Sequence, residues 1–277
     1  FYYEYLFFSI SFFFLGFLDD IKVSLKPLIR LILMIFTMII GLIVFDIKIN
    51  KTGFSFLNIL LKNNLFQYFF LILCFLFIIN GSNLIDGFNG LLIIHLILIN
   101  SILLFLNLHY LETNFSIFLT GQVFIMFCFL LFNFPNAKIF MGDGGAYLFG
   151  AVTSINIINT SISFPNISPI FFVILLFYLF FEVFFSFLRK LKKGRSPLQP
   201  DSEHLHMLLF KTLKKIYNNK NLNPFTSISI NVFYIILLIP PFVLRDNGLF
   251  CKYWFLIQLI TYLFIYRTLY NFTKKLN

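Results

Sequence analysis

The chain has 277 residues, 60% of them hydrophobic and only 12% charged, with a formal net charge of +10 and a mean hydropathy of +0.91. A soluble domain averages about 25% charged residues, so the composition excludes a soluble globular protein. It points instead to an all-α, polytopic transmembrane helical bundle, because apolar runs of about 17–25 residues recur along the length.

The chain opens at Phe1 with an apolar run over 3–18 that lacks the basic segment of a signal peptide, and an N-terminal truncation is expected. The run ends in "GFLDDIK" (16–22). On a continuing helix Asp19 and Asp20 would point about 100° apart, so both reach one ligand only where the helix ends. A solvated helix end with Lys22 and Lys26 as partners explains them. So does a divalent-cation site, because crowded like charges need a metal or a proton.

Spans are expected next over 28–45 and 65–80, followed by "NGSNLIDGFNG" (80–90). There Asp86 precedes Gly87, and glycine lets a backbone turn and approach a ligand closely. Asn83 and Asn89 offer amide donors and acceptors suited to a base or sugar edge. The plain alternative is an Asx turn, with Asp86 or Asn89 capping the following helix.

After spans at 91–108 and 115–132 comes "NFPNAKIFMGDGGAYLFG" (133–150), in which Asp143 sits between glycines ahead of a span at 146–160. A helix N-terminus has free N–H groups and suits phosphate, and the carboxylate could hold Mg²⁺ against it. A helix cap is the alternative here too. A span at 168–188 leads into the one long connector, 189–225, which opens "RKLKKGRSPLQPDSEHLH". His204 and His206 lie there beside Asp201 and Glu203, and a basic loop with imidazoles fits phosphate better than zinc.

Spans at 226–244 and 249–266 bring the expected number to nine, in one membrane domain over 1–277. Three cysteines, Cys74, Cys128 and Cys251, stand apart with no CxxC pair, so they read as buried hydrophobes. The 44 Phe fit biased codon usage and carry no weight singly. His95 and His109 read as structural. Glu4 and Glu182, costly inside spans, are expected to face the bundle interior, with no role assigned.

Lys and Arg accumulate on the cytoplasmic side of membrane proteins. With the 189–225 loop placed inside, sixteen basic residues fall inside and five (Lys48, Lys51, Lys62, Arg245 and Lys252) outside. The positive charge is thereby explained by anionic lipid without nucleic acid. Each of the four polar stretches is separated from the next by two spans, so all four emerge on one face, and distant carboxylates can converge there.

Taken together, "GFLDDIK", "NLIDGFNGLL", "NFPNAKIFMGDGGAYLFG" and "KGRSPLQPDSEHLH", in that order over about residues 10–210, resemble the polyprenyl-phosphate N-acetylhexosamine-1-phosphate transferases. These form glycosyltransferase family 4 and include the undecaprenyl-phosphate GlcNAc-1-phosphate transferases and the phospho-MurNAc-pentapeptide transferases. The last stretch is more similar to the GlcNAc-1-phosphate branch and its O-antigen or capsule relatives.

The resemblance implies a Mg²⁺-dependent reaction, with Mn²⁺ as an alternative metal. UDP-N-acetylhexosamine and a polyprenyl phosphate such as undecaprenyl phosphate would give polyprenyl-diphospho-sugar and UMP. That step would initiate an envelope glycan such as O-antigen, capsule or a teichoic acid linkage. The expected location is the bacterial inner membrane, multi-pass, with the site facing the cytoplasm; a homodimer is compatible but no residue argues for it.

By the same resemblance Asp19 and Asp20 match the family's aspartate pair and Asp143 its metal-binding aspartate. Asp86 would help bind nucleotide or metal, Phe140 would stack on uracil, and His204 and His206 would serve the diphosphate or sugar. The candidate set is Asp19, Asp20, Asp86, His204 and His206 for catalysis, with Asp143, Asp19 and Asp20 for metal. Asn83, Gly87, Asn89, Phe140, Lys193 and Arg195 are the candidates for substrate.

Three positions depart from the pattern: Asn89 stands where many members have a second Asp, Ser202 where an Arg is usual, and Met207 in place of the last histidine. They bear on sugar choice and rate. The chain also begins near the family's third span, so one or two N-terminal spans and a nucleotide-binding loop are expected upstream. Two rival readings remain at this level. A transporter would keep carboxylates and broken helices near the midplane, whereas these aspartates lie at span ends on one face. A catalytically impaired homologue acting as a scaffold would explain Ser202 and Met207.

Overall fold

A computed structural model describes residues 3–21, 25–109, 113–197, 199, 201–217 and 222–275. Lys22 and Lys220, counted above among the inward-facing charges, lie outside the described residues. Within them the chain forms twelve helices and no strand: α1 (Tyr3–Asp20), α2 (Pro27–Val44), α3 (Ser55–Leu60), α4 (Asn64–Ile85), α5 (Leu91–His109), α6 (Thr113–Asn133), α7 (Gly142–Ser163), α8 (Pro169–Leu175), α9 (Phe177–Lys192), α10 (Leu205–Ile216), α11 (Leu222–Val243) and α12 (Gly248–Lys275). Local chemistry sets several of the starts. Pro27 and Pro169 open α2 and α8, where a missing N–H costs nothing. Asn63 caps α4 by accepting from the N–H groups of Leu65 and Phe66 at 2.9 and 3.2 Å.

This is an integral membrane protein. Six helices (α2, α4, α5, α6, α11 and α12) are long and apolar enough to cross a bilayer, and the pair α8 and α9, bent by 72°, makes a seventh if counted as one span. The expected spans 3–18 and 146–160 also stand as helices, α1 and α7, but lie outside that set. The 18 residues of α1 include Glu4, Asp19 and Asp20, and α7 is rich in Gly, Ser, Thr and Asn. The two pack lengthwise against each other. Glycine sets how closely: a Cβ at Gly16 would fall 2.3 Å from the backbone carbon of Asp143 and 2.4 Å from the nitrogen of Gly144.

Inside the bundle, α5, α6 and α7 share a polar seam. The Asn100 amide donates to Thr153 Oγ1 and the Asn107 amide to Thr160 Oγ1, each at 3.0 Å. Asn156 donates to Asn100 at 2.7 Å and to Gln122 at 2.6 Å. Where surroundings are hydrocarbon, such bonds join helices that the hydrophobic effect does not drive together. The outward faces carry exposed apolar side chains, Phe36, Phe69, Phe124 and Phe264 among them, as lipid contact requires. The end of α1, the start of α2, the end of α4 and the start of α7 meet at one end of the bundle.

Candidate active site

At that end the adjacent aspartates have separate partners. Asp19 pairs with the Arg30 guanidinium and also accepts the N–H of Leu25 at 3.3 Å. Asp20 instead accepts the backbone N–H groups of Asp143 and Gly144 at 2.9 and 3.0 Å, so it caps α7 from a different helix. The positive end of α7, expected to meet phosphate, gives these two donors to Asp20. Among the described residues Asp19 pairs with Arg30, one turn further along α2, rather than with the expected Lys26.

Asp143 accepts from the Asn83 amide at 2.5 Å and from Arg30 Nη1 at 3.2 Å. One guanidinium nitrogen thus touches both Asp19 and Asp143. Asp86 caps the C-terminus of α4 and is half-buried. Burial, then the charges of Asp143 and Asp20, push its carboxyl up to about 7. Burial likewise raises the carboxyl of Asp143, against the opposing effects of Asn83 and Arg30.

A cavity of about 470 Å³ opens beside this cluster. Arg30, Asn80 and Asn83 line one part; Lys190, Asp201 and His204 line another; Met34, Leu73, Leu76 and Phe77 supply apolar wall. The histidine loop is held to the bundle through Arg189, which grips Asp201 at 2.9 and 2.8 Å and also donates to Tyr266 and to the backbone of Glu203. Bonds from Arg189 and the Glu203 N–H hold the Asp201 carboxyl below the usual carboxylate range, against burial, which raises it most. His204 is 5% exposed, with Nδ1 on Glu182 at 3.1 Å and Nε2 3.3 Å from Asp201. His206 is wholly buried, its ring parallel to that of His204 with centroids 5.5 Å apart. Burial lowers its pKa to about 4, so it is neutral near pH 7.

The sequence matches the Glycosyl transferase family 4 model over residues 2–161, more than half of the chain. The chain belongs to glycosyl transferase family 4. It is 30% identical over 146 residues to an undecaprenyl-phosphate alpha-N-acetylglucosaminyl 1-phosphate transferase of Thermotoga maritima, covering 53% of this chain and 44% of the relative. A protein of the same name from Escherichia coli O157:H7 is 27% identical over 210 residues, 72% of this chain and 55% of the relative. A phospho-N-acetylmuramoyl-pentapeptide-transferase of Streptococcus agalactiae is 31% identical over 150 residues, 50% of this chain and 43% of the relative. The chain spans about half the length of the curated relatives it matches.

Within the glycosyl transferase family 4 match lie Asp19, Asp20, Asn83, Asp86 and Asp143, which the fold brings together. Phe140 falls in the match too but projects outward, 74% exposed. Gly87 is exposed, with nothing within 4 Å of where a Cβ would sit. Asn89 serves the loop itself, donating to the Pro135 carbonyl at 2.9 Å while its own N–H meets Asn223 at 2.8 Å. Beyond the match, Lys193 pairs with Glu203 and Arg195 is exposed. His206, expected to serve the diphosphate or sugar, reaches the cavity only through its neighbour: its Nδ1 lies 3.2 Å from the Tyr178 hydroxyl and Phe88 covers its edge. Sequence reasoning missed Arg30 and Lys190, both counted only as inward-facing charge.

Proposed function

We propose that the chain transfers an N-acetylhexosamine 1-phosphate from a UDP-sugar to a polyprenyl phosphate, releasing UMP. The observation that carries this reading is the meeting of Asp19, Arg30, Asn83 and Asp143 beside a cavity whose wall passes from charged to apolar. A polyprenyl phosphate has the same division, an anionic head on a hydrocarbon tail. In the proposed step a lipid phosphate oxygen attacks the β-phosphorus of the nucleotide sugar. The bond from that phosphorus to the bridging oxygen breaks, and UMP leaves carrying that oxygen.

Such transfers are mostly positioning and charge neutralisation. Arg30 and Lys190 are the cations at the cavity wall, and His204 offers an imidazole there. Asn83 and Arg30 orient Asp143, while Asp20 holds the start of the helix that carries it. Mg²⁺, or Mn²⁺ in its place, is the proposed cofactor. Among the described residues no three Asp, Glu, His or Cys side chains converge on one point. The donor chemistry nevertheless fits: Arg30 Nη1 already marks a point shared by Asp19 and Asp143, and hard carboxylate oxygens suit a small divalent ion. Asp19 and Asp143 would hold it, and it would neutralise charge on the diphosphate.

The site is proposed to face the cytoplasm of a bacterial inner membrane and to start a lipid-linked envelope glycan. The test is UMP release by membranes from cells expressing the gene, given Mg²⁺, undecaprenyl phosphate and a panel of UDP-N-acetylhexosamines. Release that needs lipid and metal and disappears in Asp143→Asn is expected. Unchanged release in that variant overturns the role given to Asp143; none from any donor with folded protein overturns the reading and leaves a scaffold.

A further inference from the structure

Glu182 lies wholly buried on α9, and its two oxygens accept three bonds. They come from His204 Nδ1 at 3.1 Å, the Leu205 N–H at 3.0 Å and the Tyr262 hydroxyl at 2.8 Å. The donors belong to the loop before α10, to the first residue of α10, and to α12. A buried carboxylate gives up its hydration, and replacing a buried ion pair with well-packed apolar side chains is often neutral or stabilising. Fastening the loop to the bundle therefore does not by itself call for a charge at this place.

The charge sits against one ring of the histidine pair, that of His204. With Nδ1 committed to Glu182, the other nitrogen of His204 is left facing Asp201 at the wall of the 470 Å³ cavity. Asp201 is itself gripped by Arg189. Among the described residues His204 is the histidine that lines this cavity, and His206 is stacked behind it. We propose that Glu182, steadied by Tyr262, is the positioning residue of the histidine motif, fixing the orientation of the His204 ring so that Nε2 is presented to a polar group entering the cavity. The identity of that group rests on the transferase reading; the geometry does not.

The test uses the whole protein in detergent with its histidines ¹⁵N-labelled, comparing wild type with Glu182→Gln, Glu182→Asp and Tyr262→Phe. Glu182→Gln is expected to move the His204 ring signals, identified with His204→Gln, in protein that still melts cooperatively, and to lower turnover by more than its loss of melting temperature explains. UMP turnover should fall about 10- to 100-fold, by analogy with the loss of a carboxylate that orients a metal-ligating histidine, with KM for the nucleotide sugar within about twofold. Glu182→Asp keeps the charge and should recover part of the turnover. Unmoved ring signals in Glu182→Gln, or turnover that falls only in step with melting temperature, overturn the proposal. If Glu182→Gln does not fold, Tyr262→Phe decides: a smaller shift of the same signals supports the proposal, and none overturns it. A wild type that releases no UMP sinks the transferase reading, while the ring signals still decide the role of Glu182.

Discussion

Arg30 touches two of the site's aspartates at once, pairing with Asp19 and Asp143. Removing it leaves both partly buried acids without their cation, at a cost of about 1–3 kcal/mol. Arg30→Ala should therefore lower the melting temperature in detergent, and Arg30→Lys, which keeps a cation on a shorter stem, should lower it less. Asp86 gives a pH signature of its own. In the folded chain its carboxyl is pushed up to about 7 from an ordinary value of 3.8, first by burial and then by Asp143 and Asp20. Between those values the folded state binds more protons than the unfolded one, so stability falls as pH rises through the window and levels off above it. Melting temperature in chelator should show this decline, and Asp86→Asn should remove it. The aspartates were legible in sequence because adjacent acids and Asp–Gly turns are rare between apolar runs. Arg30 was not, because a basic residue at a span end is equally what lipid contact produces.

Among the elements, α7 is the one on which the site depends most. Its start carries Asp143, is capped by Asp20 from α1, and lies against Gly16, where a methyl group would overlap backbone rather than a movable side chain. Gly16→Ala is expected to push α1 off α7 and abolish UMP release; a loss of helix packing should accompany it, measured as a lowered melting temperature. Further along, α7 is bound to α5 through the seam. An interhelical hydrogen bond in a bilayer averages about 0.6 kcal/mol and reaches about 1.7. Asn107→Leu removes one such bond and should cost near the average. Asn100→Leu leaves Thr153 and Asn156 each short of a partner and should cost more; unfolding in mixed detergent would rank them. The helices were readable from hydropathy. That α1 and α7 pair was not, since it rests on glycine spacing rather than on apolar content, and nothing in the periodicity of α9 announced the 72° bend behind it.

At the scale of the molecule, the basic residues divide sixteen to five between the two ends, assuming nine crossings. In a background without Cys74, Cys128 and Cys251, a membrane-impermeant maleimide should label Arg195→Cys only in inside-out vesicles and Lys62→Cys only in right-side-out ones, both positions being exposed. The reverse pattern would invert the proposed orientation. Convergence of the polar stretches could be anticipated by counting helices between them. The partners of Glu182 could not, because they lie 22, 23 and 80 residues away, on elements whose rotation depends on packing.

The contacts of Asp20 with Asp143 and of Asn83 with Asp143 join segments separated by whole helical hairpins. A lineage that gained or lost a single crossing between these segments would leave one of them on the far side of the bilayer, beyond repair by any point substitution. Growth of such a protein between its motifs is therefore quantised: it proceeds in hairpins, or not at all.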